Sequence, residues 1–264
     1  MTTAILAIAA TWPAPRRAVV AELDPDGGTT AARQVVPHDP GLISLAADGI
    51  QGLSPELVAA SIQQLANGTL ALLAPPGPDR AVASLEALEA AGLPGILGHL
   101  PGLDVLADCG RLDGRSPALP YLRGADAVVL VIRSGVEDVI GLKHRLQTLD
   151  LGPRPCGVVI VGRRPYQPGE VAEAFSLPVV GVLDDDARAA TTVGTGGLPD
   201  RSKLLRSAEI VARALIRALP GPTAVGLAGT GTNHLGAPSW RPPQRAATQR
   251  SDSPNTAGTT GWRP

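Results

Sequence analysis

A chain of 264 residues that is 44% hydrophobic and 18% charged can bury one sizeable core, and its net charge of −1 excludes a general electrostatic pull toward nucleic acid or an anionic membrane. Only 2% of the residues are aromatic, against 31 glycines and 26 prolines, so the core has to be built from alanine, valine and leucine. Cys109 and Cys156 lie in or beside apolar strand-like runs with no further cysteine or histidine at ligand spacing, which reads as buried thiols in a reducing cytoplasm.

The first twelve residues, MTTAILAIAATW, have neither a basic region nor a small-residue cleavage site, so they do not read as a secretory signal. Residues 3 to 11 predict a short, almost wholly apolar helix stopped by Pro13, and such a helix has to be covered on most sides. The run at 18 to 22 is bounded by an acidic turn and predicts a buried parallel strand. It ends in Glu22, Asp24, Asp26, Gly27 and Gly28, carboxylates and glycines placed where an open α/β sheet builds its site. Next come Ala31 to Val35, a Pro-His-Asp-Pro loop at 37 to 40, GLISLAAD, and SPELVAASIQQL, whose Ser54 cap, Pro55 and Glu56 mark a helix start. LALLA at 70 to 74 predicts a second strand, and Val82, Leu85 and Leu88 give the helix from Asp79 to Ala91 one apolar face.

A third strand at 103 to 108 ends in Asp108-Cys109-Gly110, and a polar loop, RLDGRSPALPYLRG, leads to a strand at 127 to 133. A helix at 137 to 149, a strand at 157 to 162, the helix PGEVAEAF and a strand at 179 to 183 continue the alternation. A Gly-rich loop at 194 to 200 then opens the last helix, SKLLRSAEIVARALIRAL, whose apolar stripe suits packing on a sheet better than lying on a membrane. Strands alternating with helices predict an α/β fold, a doubly wound, mostly parallel sheet in a three-layer α/β/α arrangement. Residues 221 to 264 are Gly, Pro, Thr, Ser and Ala with scattered arginines, which predicts a disordered tail behind a domain at 1 to 220.

The ordered set ELDPDGG, LADCG, ADAVVLVIR and GVVIVGRRPYQPGEVAEAFSLPVVGVLDDD resembles the ParA/MinD family of P-loop ATPases over roughly residues 1 to 220. The resemblance implies a Rossmann-type P-loop NTPase fold, ATP and Mg²⁺ as cofactors, and ATP-promoted homodimerisation. It also implies a role in spatial organisation, such as chromosome partitioning or the positioning of division, pilus or flagellar machinery, through a protein partner. No basic aromatic surface or terminal membrane helix marks DNA or membrane binding.

Residue by residue, the resemblance sets Thr2 at the magnesium-binding hydroxyl that opens the first helix, with Thr3 beside it in the cofactor site. Met1 stands where the family has its lysine. Asp108 matches the aspartate that holds magnesium through water, and Asp24 the second acidic residue of D-x-D-P, which orients the attacking water or couples to the partner subunit. Glu22 replaces the first acidic residue with a longer one, and Cys109-Gly110-Arg111-Leu112 stands where the family has Thr-Pro-Pro-Gly.

The family's first strand and Gly-rich loop have no counterpart here. One reading puts them upstream of a misassigned start; the other makes the chain a degenerate member and a non-hydrolysing interaction scaffold. Either way, a chain of this length is expected to show a gap beside the strand ending in Asp108, or a poorly covered first helix. An unrelated Rossmann-like binding protein is the third alternative, weakened by the lack of a GxGxxG. Ordinary turn chemistry competes for Asp24 and Asp108, solvated carboxylates for Asp184 to Asp186, and chance for the glycines of GLAGTGTN at 226 to 233.

Overall fold

The computed structural model describes residues 2–218; Met1, the tail at 221 to 264 and its GLAGTGTN motif lie outside the described residues. In chain order the elements are α1 (Thr2–Ala10), β1 (Arg17–Glu22), α2 (Thr30–Gln34), α3 (Leu42–Asp48), α4 (Pro55–Ala60), β2 (Gln63–Gln64), β3 (Leu70–Leu72), α5 (Pro78–Ala90) and α6 (Leu93–Leu97). They continue with β4 (Leu103–Asp108), α7 (Leu119–Gly124), β5 (Val128–Arg133), α8 (Val136–Leu146), β6 (Cys156–Val161), α9 (Pro168–Phe175), β7 (Val179–Leu183), α10 (Ala187–Gly194) and α11 (Lys203–Ala218).

The strands form two hydrogen-bonded groups, one ordered β2-β3-β1-β4 and one ordered β5-β6-β7. All their pairings are parallel except β2 with β3. Alternation along β1 sends Val20 to one face and Ala21 to the other, so helices have to cover both. On the first face α1, α10 and α11 share a core with residues of both strand groups, among them Val20, Val159 and Leu183. On the second, α3, α5 and α6 cover the first group and α8 and α9 the second. The result is the three-layer α/β/α arrangement. The apolar α1 is well covered, with Leu6 and Ala7 fully buried, and the amphipathic α11 turns Leu204, Ala208 and Val211 into the same core.

Three local expectations fail for physical reasons. The helix opened by Ser54 stops at Ala60, and Gln63–Gln64 pairs antiparallel with β3 through a turn closed by Asn67-Gly68, with Gly68 at φ +84°. Asn-Gly is a hairpin signal that the helical pattern before it masks. Residues expected as a polar loop form α7, held because Tyr121 is buried and its hydroxyl donates to the Leu85 carbonyl at 2.8 Å. Between β7 and the Gly-rich loop lies α10, capped by the Asp186 side chain.

Candidate functional site

The parallel register of β1 and β4 puts Glu22 opposite Asp108, so the acidic tips of both strands meet at one edge of the sheet. The next backbone step keeps them together, since the Leu23 amide donates to the Asp108 carbonyl at 2.8 Å. The indole of Trp12, just beyond α1, donates to Asp104 near the start of β4 at 2.7 Å. The helix therefore runs back along the sheet, and its first turn, with Thr2 and Thr3, lies toward the edge where β1 and β4 end.

The two acidic tips are used differently. Glu22 is only 2% exposed, and its carboxylate is fully engaged. One oxygen accepts from the Thr30 hydroxyl at 2.6 Å and from the Thr30 and Thr29 amides at 3.1 and 3.3 Å; the other accepts from the Ala74 amide at 3.1 Å. Its extra methylene relative to aspartate lets it act as a clasp between β1, the start of α2 and the end of β3. Gly28 makes the clasp possible, because a Cβ there would lie 2.5 Å from the Glu22 carboxylate and 2.4 Å from the Ala74 carbonyl.

Asp24 instead lies near enough to Asp108 for their charges to repel. Asp24 accepts from the Asp26 amide at 2.9 Å in a tight acidic turn. Burial pushes its carboxyl above the ordinary aspartate value, the Asp26 amide pulls the other way, and the charges of Asp108 and Asp26 add to the upward push. Asp108 is 8% exposed and accepts from the Gly110 amide at 3.3 Å. Gly110, which the sequence reading passed over, sets the approach. It sits at φ +62°, and a Cβ built on it would fall 2.2 Å from Asp24 Cγ. A residue with a side chain here could keep neither the backbone nor the Asp24 position. Cys109 lies between them as an inert thiol, pushed up to about 12 by burial and then by Asp108 and Asp24.

Thr2 is half-buried at the start of α1. Thr3 accepts from Arg33 at 3.5 Å and lies near Gly194, so its hydroxyl is turned toward α2 and α10. The Asp184 to Asp186 run is accounted for without a metal: Asp184 pairs with Arg163, Asp185 with Arg133, and Asp186 caps α10. Among the described residues no group of three or more His, Cys, Asp or Glu is arranged to hold a metal ion.

Two adjacent carboxylates, Asp24 and Asp108, are suitable donors for a hard divalent cation that keeps most of its waters. A triphosphate is not matched by the described residues. The glycine amides nearest the carboxylates are already spent, Gly27 on the Asp24 carbonyl at 3.0 Å, Gly28 on the Pro75 carbonyl at 2.9 Å and Gly110 on Asp108. The chain's lysines are Lys143 on α8 and Lys203 at the start of α11.

No protein-family model matches the chain, and no curated protein matches it in sequence. Its structure is similar to solved ones. A ParA family ATPase from Chlorobium tepidum TLS superposes with a TM-score of 0.61 at 13% identity, covering 81% of this chain and 90% of that one. The septum site-determining protein MinD from Pyrococcus horikoshii OT3, complexed with Mg-ADP, gives 0.55 at 16% identity over 81% and 88%. A putative plasmid partition protein from Borrelia burgdorferi B31, bound to AMPPNP, gives 0.53 at 11% identity over 82% and 92%. The chain has the fold of these ATPases.

Proposed function

We propose that this chain acts in spatial organisation, as a MinD/ParA-like ATPase or an ATPase-derived protein in chromosome partitioning or in positioning division, pilus or flagellar machinery. The observation that carries the reading is the acidic edge where β1 and β4 end side by side, with Asp24 packed against Gly110 and near enough to Asp108 for their charges to repel. In the ATPase form, a Gly-rich loop ahead of Thr2 would supply the phosphate cradle, Thr2 and Asp108 would hold Mg²⁺, Thr3 would flank the nucleotide, and Asp24 would orient water or couple to the partner subunit. The metal supplies charge neutralisation at the phosphates. The pair of carboxylates keeps the cation-binding edge acidic, and ATP-bound chains associate as a homodimer that engages a protein partner.

The spent glycine amides favour a second reading, a non-hydrolysing scaffold that keeps the fold and recruits partners through its surface. Titrating the 264-residue chain with a fluorescent ATP analogue, with and without Mg²⁺, separates the two. Saturable, Mg²⁺-dependent binding that Asp108→Asn weakens by about tenfold or more supports the ATPase. Absence of saturable binding rejects the ATPase reading for this chain and leaves the scaffold.

A further inference from the structure

α8 is held to the second face of the sheet by Val139, Leu142 and Leu146, and the rest of its surface looks outward. Of the six large apolar side chains exposed among the described residues, Val136 and Ile140 are the two that share an element; they lie one turn apart on α8, 48% and 52% exposed. Beside Ile140 stands Gly141, in the interior of the helix, where glycine is less favourable than alanine. Its φ is not positive, and among the described residues no atom comes within 4 Å of a Cβ built there, so the chain's own packing does not call for a glycine.

The two ends of this outward surface carry opposite charge. Glu137 and Asp138 occupy the first turn and Lys143, His144 and Arg145 the last, and among the described residues none of the five enters an ion pair. The helix dipole favours such a polarity. It accounts for neither the bare Ile140 nor the glycine beside it.

A partner for this surface needs basic groups opposite Glu137 and Asp138, acidic groups opposite Lys143 and His144, and a small residue opposite Ile140. α8 itself meets all three when a second copy is laid antiparallel, with a two-fold axis passing between Ile140 and Gly141. Each Ile140 then faces the partner's Gly141, Glu137 faces the partner's His144, and Asp138 faces the partner's Lys143. A parallel pair would set like charges against one another, whereas the antiparallel one also opposes the helix dipoles. With 11 residues α8 is about 16 Å long, too short to bury the roughly 1,200 Å² of a standard interface, so the contact is a weak and reversible one.

We infer that the outward face of α8 is a self-association surface, on which a second copy of this chain docks its own α8 in antiparallel register. The contact needs no nucleotide.

Sedimentation equilibrium of the full chain without nucleotide, from about 5 to 500 µM, tests this. Expected is a monomer–dimer equilibrium with a dissociation constant of about 0.1 mM. Ile140→Asp, at an exposed position, is expected to weaken the dimer by about tenfold or more with an unchanged circular dichroism spectrum. Gly141→Ala is expected to raise the thermal midpoint, as the better helix former, while weakening the dimer about fivefold, because its methyl group fills the space that Ile140 enters. Asp138→Lys and Lys143→Asp each set like charges together and are expected to weaken the dimer about fivefold; combined, they restore opposite charges and return it to near the parent's value.

A chain that stays monomeric to the top of that range overturns the proposal, as does a dimer that forms only with ATP and Mg²⁺. A dimer untouched by Ile140→Asp, or one that the combined charge exchange fails to restore, lies on another surface and overturns it equally. Strengthening by Gly141→Ala would overturn the antiparallel register, since Ile140 would then have no space to enter.

Discussion

At the scale of the residue, the two carboxylates of β1's end are opposites. Glu22 is stabilised by four donors that have no other partner, so Glu22→Ala strands buried N–H and O–H groups. The expected loss is about 3 to 5 kcal/mol in urea denaturation, with Glu22→Gln falling between variant and parent. Asp24 is held in its charged form against burial and Asp108, so its folded-state value lies above the ordinary 3.8. A raised acid binds more protons folded than unfolded, so its ionisation costs stability. That cost is complete above the folded-state value and vanishes below 3.8, where both states are protonated. Asp24→Asn is therefore expected to be more stable than the parent at neutral pH, the gap closing as pH falls toward 3.8, as read from thermal midpoints across a pH series. Asp104 has the opposite sign. Burial pushes it up, but Arg16 and the Trp12 indole outweigh burial and hold it below the ordinary value, so its contribution is present at neutral pH and lost in acid.

At the scale of the element, short polar signals decide where helices begin. Asp186 accepts from the Ala189 amide at 3.0 Å, and α10 then delivers Ala189 and Val193 to the core shared by α1 and α11. Asp186→Ala is expected to cost about 1 kcal/mol, measured by denaturation, while Asp185→Ala, whose partner Arg133 is exposed, is expected to leave stability nearly unchanged. The long apolar strands β1, β4, β5, β6 and β7 were legible from the chain alone because buried parallel strands are written as continuous runs of Val, Ile, Leu and Ala. The short elements were not. β2 is two glutamines paired only because β3 offers an edge, and α7 exists because Tyr121 finds a carbonyl on α5. The site was half legible: a strand running into Glu-x-Asp and another ending in Asp-Cys-Gly suggested an acidic edge. That Glu22 turns inward as a clasp while Asp24 packs against Gly110 depends on register and on the space left by Gly28 and Gly110, which no local pattern encodes.

At the scale of the whole molecule, the two strand groups are joined through helices rather than through a shared ladder. α1, α10 and α11 lay one core across both groups, with Val20 and Ala71 contributed by the first and Val159 and Leu183 by the second. Cooperativity between the halves therefore passes through side-chain packing, which is short-ranged and tolerant of small shifts, while each half keeps its own hydrogen-bonded order. This predicts an uneven exchange map. β1, β3 and β6 are paired on both sides, so their amides should open only with larger unfolding events. Among the described residues β4 and β5 are each paired on one side, and the amides on their unpaired sides should exchange at least about tenfold faster than those of β1 and β6. Residue-resolved hydrogen exchange on the free chain measures this directly. If β4 proves as protected as β1, the edge is covered in solution and the division of the sheet is not the state the molecule holds. If β4 and β5 open together and ahead of the rest, the weakest line in the fold is the boundary between the two strand groups.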